Sequence, residues 1–155
     1  MPERGRVRFE AATSSHVAEL LPRLRSADWQ EVAASSVLPV GHALVMSVAR
    51  GNAEVGLIDN EAVVLFGAAP IGMINRAATP WMVGSNKLER YPITVLRHNR
   101  RIIDRWTSQF DHLFNYVDTR NEVSKKWLKW LGFKLHDPRP YGPLGLDFHK
   151  FEWRR

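Results

Sequence analysis

The chain has 155 residues, 45% hydrophobic and 25% charged, with 22 Lys and Arg against 16 Asp and Glu for a formal charge of +6, and no cysteine. That length holds one core and excludes two full-sized domains, so one folded unit over residues 1–155 is expected. Without cysteine, disulfides, thiolate metal sites and cysteine nucleophiles are excluded together, which suits a reducing compartment. The basic balance favours an acidic partner such as nucleic acid, nucleotide phosphates or an acidic protein surface.

The start, MPERGRVRFEAATSS, has no apolar h-region, and the longest uncharged stretch, Ala62 to Asn75, is too short to span a bilayer. Neither secretion nor membrane insertion is expected.

Val7 to Glu10 predicts a short first strand, and Thr13 offers an N-cap oxygen to a helix carrying Val17, Leu20, Leu21 and Leu24, which Pro22 bends or shortens. Ser26 is expected to cap a second helix through about Ser36, with Asp28 favourable in its first turn because a carboxylate complements the positive helix end. Pro39 and Gly51 bracket a third helix. The period then changes. Ala53 to Ile58 and Ala62 to Ala69 flank the polar turn Asp59-Asn60-Glu61 and predict a hairpin. Its second strand is apolar on both faces, hence central and covered on both sides. Ala77 to Gly84 predicts another strand.

Tyr91-Pro92 opens the longest helix, with Val95, Leu96, Ile102, Ile103, Trp106 and Phe110 at spacings of three and four. His112 to Val117 predicts a strand. Thr119 and Glu122 have capping-box spacing before a helix that places Val123, Trp127, Trp130 and Leu131 on one face and ends at Gly132. Both tryptophans are read as core. The proline-rich HDPRPYGPLG is expected to be a loop, and Leu146 to Trp153 a last strand. This order predicts an α/β fold, a central mixed sheet with helices on both faces.

The segment NYVDTRNEVSKKWLKWLGFKL resembles the C-terminal part of GNAT N-acetyltransferases, through Asn121 and the Leu131-Gly132-Phe133 that closes the helix. The resemblance implies the acyl-CoA N-acyltransferase fold. The run TPWMVGSNKLERYPITVLRHNRRIID resembles the gene-thirteen family of GNAT-like internal virion or morphogenesis proteins of short-tailed phages, carried by Trp81, Gly84, Leu88, Pro92, Leu96 and Arg97. That likeness implies a phage origin, a place in the virion or host cytoplasm, and other virion or assembly proteins as partners.

The GNAT resemblance also says where acetyl transfer would need its groups. A glycine-rich loop after the strand that precedes the long helix holds the coenzyme diphosphate on backbone N–H groups at a helix N-terminus. Here it reads Gly84-Ser85-Asn86-Lys87-Leu88-Glu89-Arg90, with one glycine and a repelling glutamate. Lys87 and Arg90 are the available substitutes as point charges. The general acid expected is a tyrosine four positions before Gly132, where this chain has Leu128, which has no proton to donate. Tyr116 and Tyr141 are the substitutes nearest in sequence. For a base, Glu54, Asp59, Glu61 and Asp118 are available, each also read as a turn, edge or cap residue.

The resemblance thus implies a protein without catalytic residues and without a required cofactor. Were acetyl-CoA bound, Trp81, Met82, Val83, Gly84, Ser85 and Asn86 would line its strand edge and Asn121 would orient it, making the chain an atypical GNAT-type N-acetyltransferase. The six histidines show no ligand spacing, so no metal is expected.

Arg97, Arg101 and Arg105 recur at i, i+4 and i+8 on the long helix with Arg100 beside them, and Lys125, Lys126 and Lys129 form a second cluster. Such stripes can contact phosphates or an acidic protein, making nonspecific nucleic-acid binding a further alternative. Interleaved aromatics suitable for base stacking are absent from the arginine stripe, which argues against sequence-specific reading of nucleic acid.

Overall fold

The computed structural model describes residues 6–72, 74 and 76–155. The charged residues 1–5 and the side chain of Leu96, both used in the sequence reading, lie outside the described set. Strand β1 (Val7–Ala11) leads into helices α1 (Ser14–Leu20), α2 (Ser26–Ser35) and α3 (Val40–Ala49). Then follow β2 (Ala53–Ile58), β3 (Glu61–Ile71), β4 (Ala77–Gly84), the long α4 (Pro92–Gln109), β5 (His112–Asp118), α5 (Glu122–Trp130), β6 (Lys134–Leu135), β7 (Arg139–Tyr141) and β8 (Leu146–Arg154).

Local chemistry explains most of these boundaries. Thr13 and His16 form a capping box at α1, and Pro22 turns the chain after α1 into one 3-10 turn, Leu21–Arg23. Asp59 and Asn60 both have positive φ, 50° and 66°, so β2 and β3 are joined by the two-residue turn that favours Asx residues. Val64 pairs with Gly56 and Ala62 with Leu57, leaving Val63 as a bulge in β3.

Three boundaries differ from expectation. Ser26 is the first residue of α2, and its side chain does not cap the helix. Asn121 is the N-cap of α5 in place of Thr119, its side chain accepting from the Ser124 N–H at 3.4 Å. The proline-rich segment also contains structure, because Arg139–Tyr141 pairs with Leu146–Phe148 and orders most of the expected loop.

The sheet runs β1-β2-β3-β4-β5-β8-β6, with β7 also on β8. One face packs under α1 and α3 around Val17, Leu20, Leu44, Val55, Leu57 and Leu65. The other packs under α4 and α5 around Phe66, Val95, Ile102, Trp106, Leu113 and Phe133. β3 is buried from Ala62 to Ala69, as a central strand covered on both faces must be.

The site is set by the join between β4 and β5. All pairs in the sheet are antiparallel except this one, and it holds for only two registers, Ala77 with His112 and Ala78 with Leu113. Pro80 explains the break. Gly84 N–H points away from β3 to Asp28, so by the alternation of an antiparallel ladder Met82 and Pro80 also turn their backbone groups toward β5. Pro80 has no N–H to give there. Its carbonyl instead accepts from Asn115 Nδ2 at 2.8 Å, and beyond this bridge the strands separate.

Candidate functional site

A cavity of about 330 Å³ occupies the gap. Val32, Leu44 and Trp81 line it on the α1–α3 side of the sheet, while Asn99, Ile102 and Trp127 line it on the α4–α5 side, so it passes between the strands. Its walls are mainly apolar. Trp81 Nε1 and Asn99 Oδ1, on two of the lining residues, are buried and have no hydrogen-bond partner among the described residues. Gly67 makes room for the indole, since a Cβ there would lie 2.9 Å from Trp81 Nε1.

At the wide end of the gap, residues at the start of α2 reach across from one half-sheet to the other. Arg25, Asp28 and Asn121 are all buried, at 5%, 2% and 1% exposure. Asp28 Oδ2 accepts the Gly84 N–H at 2.9 Å, and the Arg25 N–H donates to the Gly84 carbonyl at 2.8 Å, so both outward backbone groups of Gly84 are engaged. Asn121 Nδ2 donates to Asp28 at 3.2 Å and to Glu31 at 3.4 Å, while Glu31 also accepts the Asp118 N–H at 2.8 Å. The Arg25 guanidinium completes the set, 3.6 Å from Asp28 and 3.4 Å from Asn121 Oδ1. We call this group the clasp.

Of the two carboxylates in the clasp only Asp28 lies beside the buried cation, and burial dominates at both. It pushes Asp28 above its ordinary value despite Arg25 and the Gly84 and Asn121 hydrogen bonds, and it pushes Glu31 up to about 8. Glu31 therefore holds its proton at neutral pH. At Asp118 the opposite balance holds: burial would raise it, but hydrogen bonds from Arg120 hold it below the usual range.

The segment after β4 forms a 3-10 helix, Asn86–Arg90. Two of its charges pair with neighbours, Lys87 Nζ lying 2.6 Å from Glu61 and Glu89 3.6 Å from Arg25, while Arg90 makes no ion pair among the described residues. Within it the N–H of Leu88 is used by Ser85 and that of Tyr91 by Leu88. Gly84 permits close packing rather than phosphate approach, since a Cβ there would meet Leu88 Cδ2 at 2.7 Å.

Of the residues singled out from sequence for a cofactor, Trp81, Met82 and Val83 come together on the cavity wall. Gly84, Ser85 and Asn86 lie outside that lining, and Asn121 is buried in the clasp. Leu128 lines the cavity together with Tyr116 and Tyr141, whose rings stack at 3.9 Å. The suggested bases scatter: Glu54 is near His98 and Arg105, Asp59 accepts from the Arg6 N–H, Glu61 pairs with Arg23 and Lys87, and Asp118 with Arg120.

Sequence reading missed Arg25 and Glu31 and gave Asp28 only the role of complementing the positive end of α2. The available signal was their i, i+3, i+6 spacing, which puts all three on one helix face. Among the described residues no group of three or more His, Asp or Glu is placed to hold a metal ion.

The basic residues also separate. Arg97, Arg100, Arg101, Lys126 and Lys129 are exposed. Arg105 turns to Glu54 at 3.7 Å, and Lys125 folds back onto the Thr119 carbonyl and Glu122. Lys125 thus leaves the solvent face it was expected to share. Trp130, read from sequence as core, is 48% exposed.

No protein-family model matches the chain, and no curated protein matches it. Solved structures do. The chain is similar to the acetyltransferase of GNAT family from Streptococcus pneumoniae, with a TM-score of 0.68 at 11% identity over 96% of this chain and 99% of that one. Ribosomal-protein-S5-alanine acetyltransferase from Vibrio fischeri matches with a TM-score of 0.68 at 14% identity, covering 96% and 92%. A third, yncA from Salmonella typhimurium with its cofactor acetyl-CoA, matches with a TM-score of 0.68 at 12% identity, covering 96% and 93%. Identities this low speak to architecture and leave chemistry to the site. The chain has the GNAT acetyltransferase fold.

Proposed function

We propose that this GNAT-fold protein works through its surface, in the assembly of a phage particle or as an internal component of one, rather than by transferring acetyl groups. The observation that carries the first half of this reading is the clasp. A coenzyme arm pairing along the free edge of β4 would need the outward groups of Gly84, and these are held by Arg25 and Asp28. The diphosphate would then meet Glu89 and a lysine already paired to Glu61. These residues fit a coenzyme diphosphate poorly, because a charged ligand must displace existing pairs and approach buried carboxylates. Leu128 supports the same reading. The phage half rests on the resemblance of residues 79–104 to the gene-thirteen proteins.

A thermal shift with acetyl-CoA tests the first half: no shift is expected at millimolar ligand. Acetylation of lysines or small amines, abolished by substitution at Gly84 or Asn121, would overturn it. For the second half, deleting the gene from its phage is expected to lower the yield of infectious particles, and an unchanged yield would contradict it.

One observation favours a second reading, an atypical N-acetyltransferase. The cavity between β4 and β5 has two tyrosines, Tyr116 and Tyr141, in its lining together with Leu128. In that case Tyr116 or Tyr141 takes the place of the missing general acid. Burial raises Tyr141 above its ordinary value, which keeps its proton in place for donation.

A further inference from the structure

Away from the cleft, α4 and α5 cover the same side of the sheet and meet where Arg100 of α4 reaches Trp130 of α5. Arg97, Arg100 and Arg101 from α4 and Lys126 and Lys129 from α5 are all exposed on these helices. Among the described residues, the ion pairs of the two helices involve His98 and Arg105 with Glu54 and Lys125 with Glu122, and none takes up these five cations. Asp104 is the one acidic residue of α4. One helical turn separates Arg97 from Arg101, about 6 Å along the axis.

An aromatic ring sits within this set. Trp130, 48% exposed, projects from the flank of α5, and the Arg100 guanidinium lies 4.6 Å from the centre of its ring. Arg100 also donates to the Trp130 carbonyl at 2.8 Å, which fixes the guanidinium in place. Lys126 precedes Trp130 by four residues and so lies on the same side of α5. The helix of the arginine stripe has no exposed aromatic, its Trp106 being buried in the core; the neighbouring helix supplies one.

We propose that this α4–α5 face binds single-stranded nucleic acid, with phosphates on Arg97, Arg101, Lys126 and Lys129 and a base stacked on the Trp130–Arg100 pair. The cations alone would accept any polyanion. The exposed indole decides between them, because an unpaired base presents a π-face to it, a duplex keeps its base faces inside its own stack, and an acidic peptide offers carboxylates without a ring. This surface is separate from the cleft, so its test is independent of whether acetyl-CoA binds.

The test is fluorescence anisotropy with a labelled fifteen-nucleotide oligo-dT. Binding is expected, with a log–log salt slope of about −3 from four phosphate contacts at roughly −0.7 each. Trp130→Ala should weaken it about tenfold or more, Trp130→Phe should retain most of it, and Arg97→Glu with Arg101→Glu should abolish it. Arg139→Glu, which makes on exposed β7 the charge change of either of these substitutions taken singly, should cost far less than either. Trp130→Ala binding as well as the parent would overturn the proposal, as would equal affinity for a duplex of the same length. Stronger binding of polyglutamate than of oligo-dT would overturn it in favour of an acidic protein partner.

Discussion

At the scale of single residues, the clasp makes stability depend on protonation. Glu31 has a folded-state value near 8 against an ordinary 4.5, so it contributes stability that is fully present below 4.5 and lost as pH rises through 8. Glu152 acts with the opposite sign. His112 and His136 donate to it at 2.8 and 2.7 Å and lower it to about 2, so its contribution is present above 4.5 and lost as pH falls toward 2. From these two groups, Tm is expected to be highest near pH 5 and to fall toward pH 8. Glu31→Gln should flatten that alkaline fall, measured as Tm at pH 5, 6.5 and 8; a parallel fall in the variant would place the effect elsewhere. Asp28→Ala leaves the Gly84 N–H and one Asn121 donor without partners and is expected to cost about 3 kcal/mol in urea unfolding. A cost below about 1 kcal/mol would show that water replaces the carboxylate easily.

At the scale of elements, Gly142 fixes how the β7–β8 turn meets α2. Its φ is +80°, and a Cβ there would collide with the Ala34 carbonyl oxygen, so Gly142→Ala is expected to lower stability by about 2 kcal/mol or more, read from chemical denaturation. An unchanged midpoint would mean that the turn moves freely away from α2.

The same scale shows what the sequence made legible. The β2–β3 hairpin was readable because Asp59-Asn60 supplies positive φ between two apolar runs, and β4 because its run ends at Gly84. The β4–β5 separation was also written there, in Pro80, whose meaning depends on which way its missing N–H faces. Arg25 and Glu31 escaped because their partners, Gly84, Asp118 and Asn121, are more than 55 positions away. Trp130 was misplaced because helical spacing puts it beside Trp127 and Leu131 on an apparent core face, whereas Arg100 of a different helix holds it at the surface.

At the scale of the whole molecule, the sheet consists of two halves, β1–β4 and β5–β8. Among the described residues, strand pairing joins them at Ala77–Ala78 with His112–Leu113, next to the Arg76 carbonyl that accepts from the Asp111 and His112 N–H groups; the Asn115 bridge and the clasp complete the join. The join should therefore open from its wide end when the clasp is cut. In hydrogen exchange, Asp28→Ala is expected to speed exchange at Gly84 and Asp118 while leaving Leu65 and Leu113 protected. Uniform acceleration would show that the two halves unfold as one.

The edge of β4 where a coenzyme arm would lie is held at Gly84 by Arg25 and Asp28 from the start of α2, and acetyl-CoA is therefore not expected to bind there. Isothermal titration calorimetry of the protein with acetyl-CoA at neutral pH tests it most directly. No heat of binding is expected at millimolar coenzyme. Saturable micromolar binding that survives in the parent protein with Asp28 intact would contradict it.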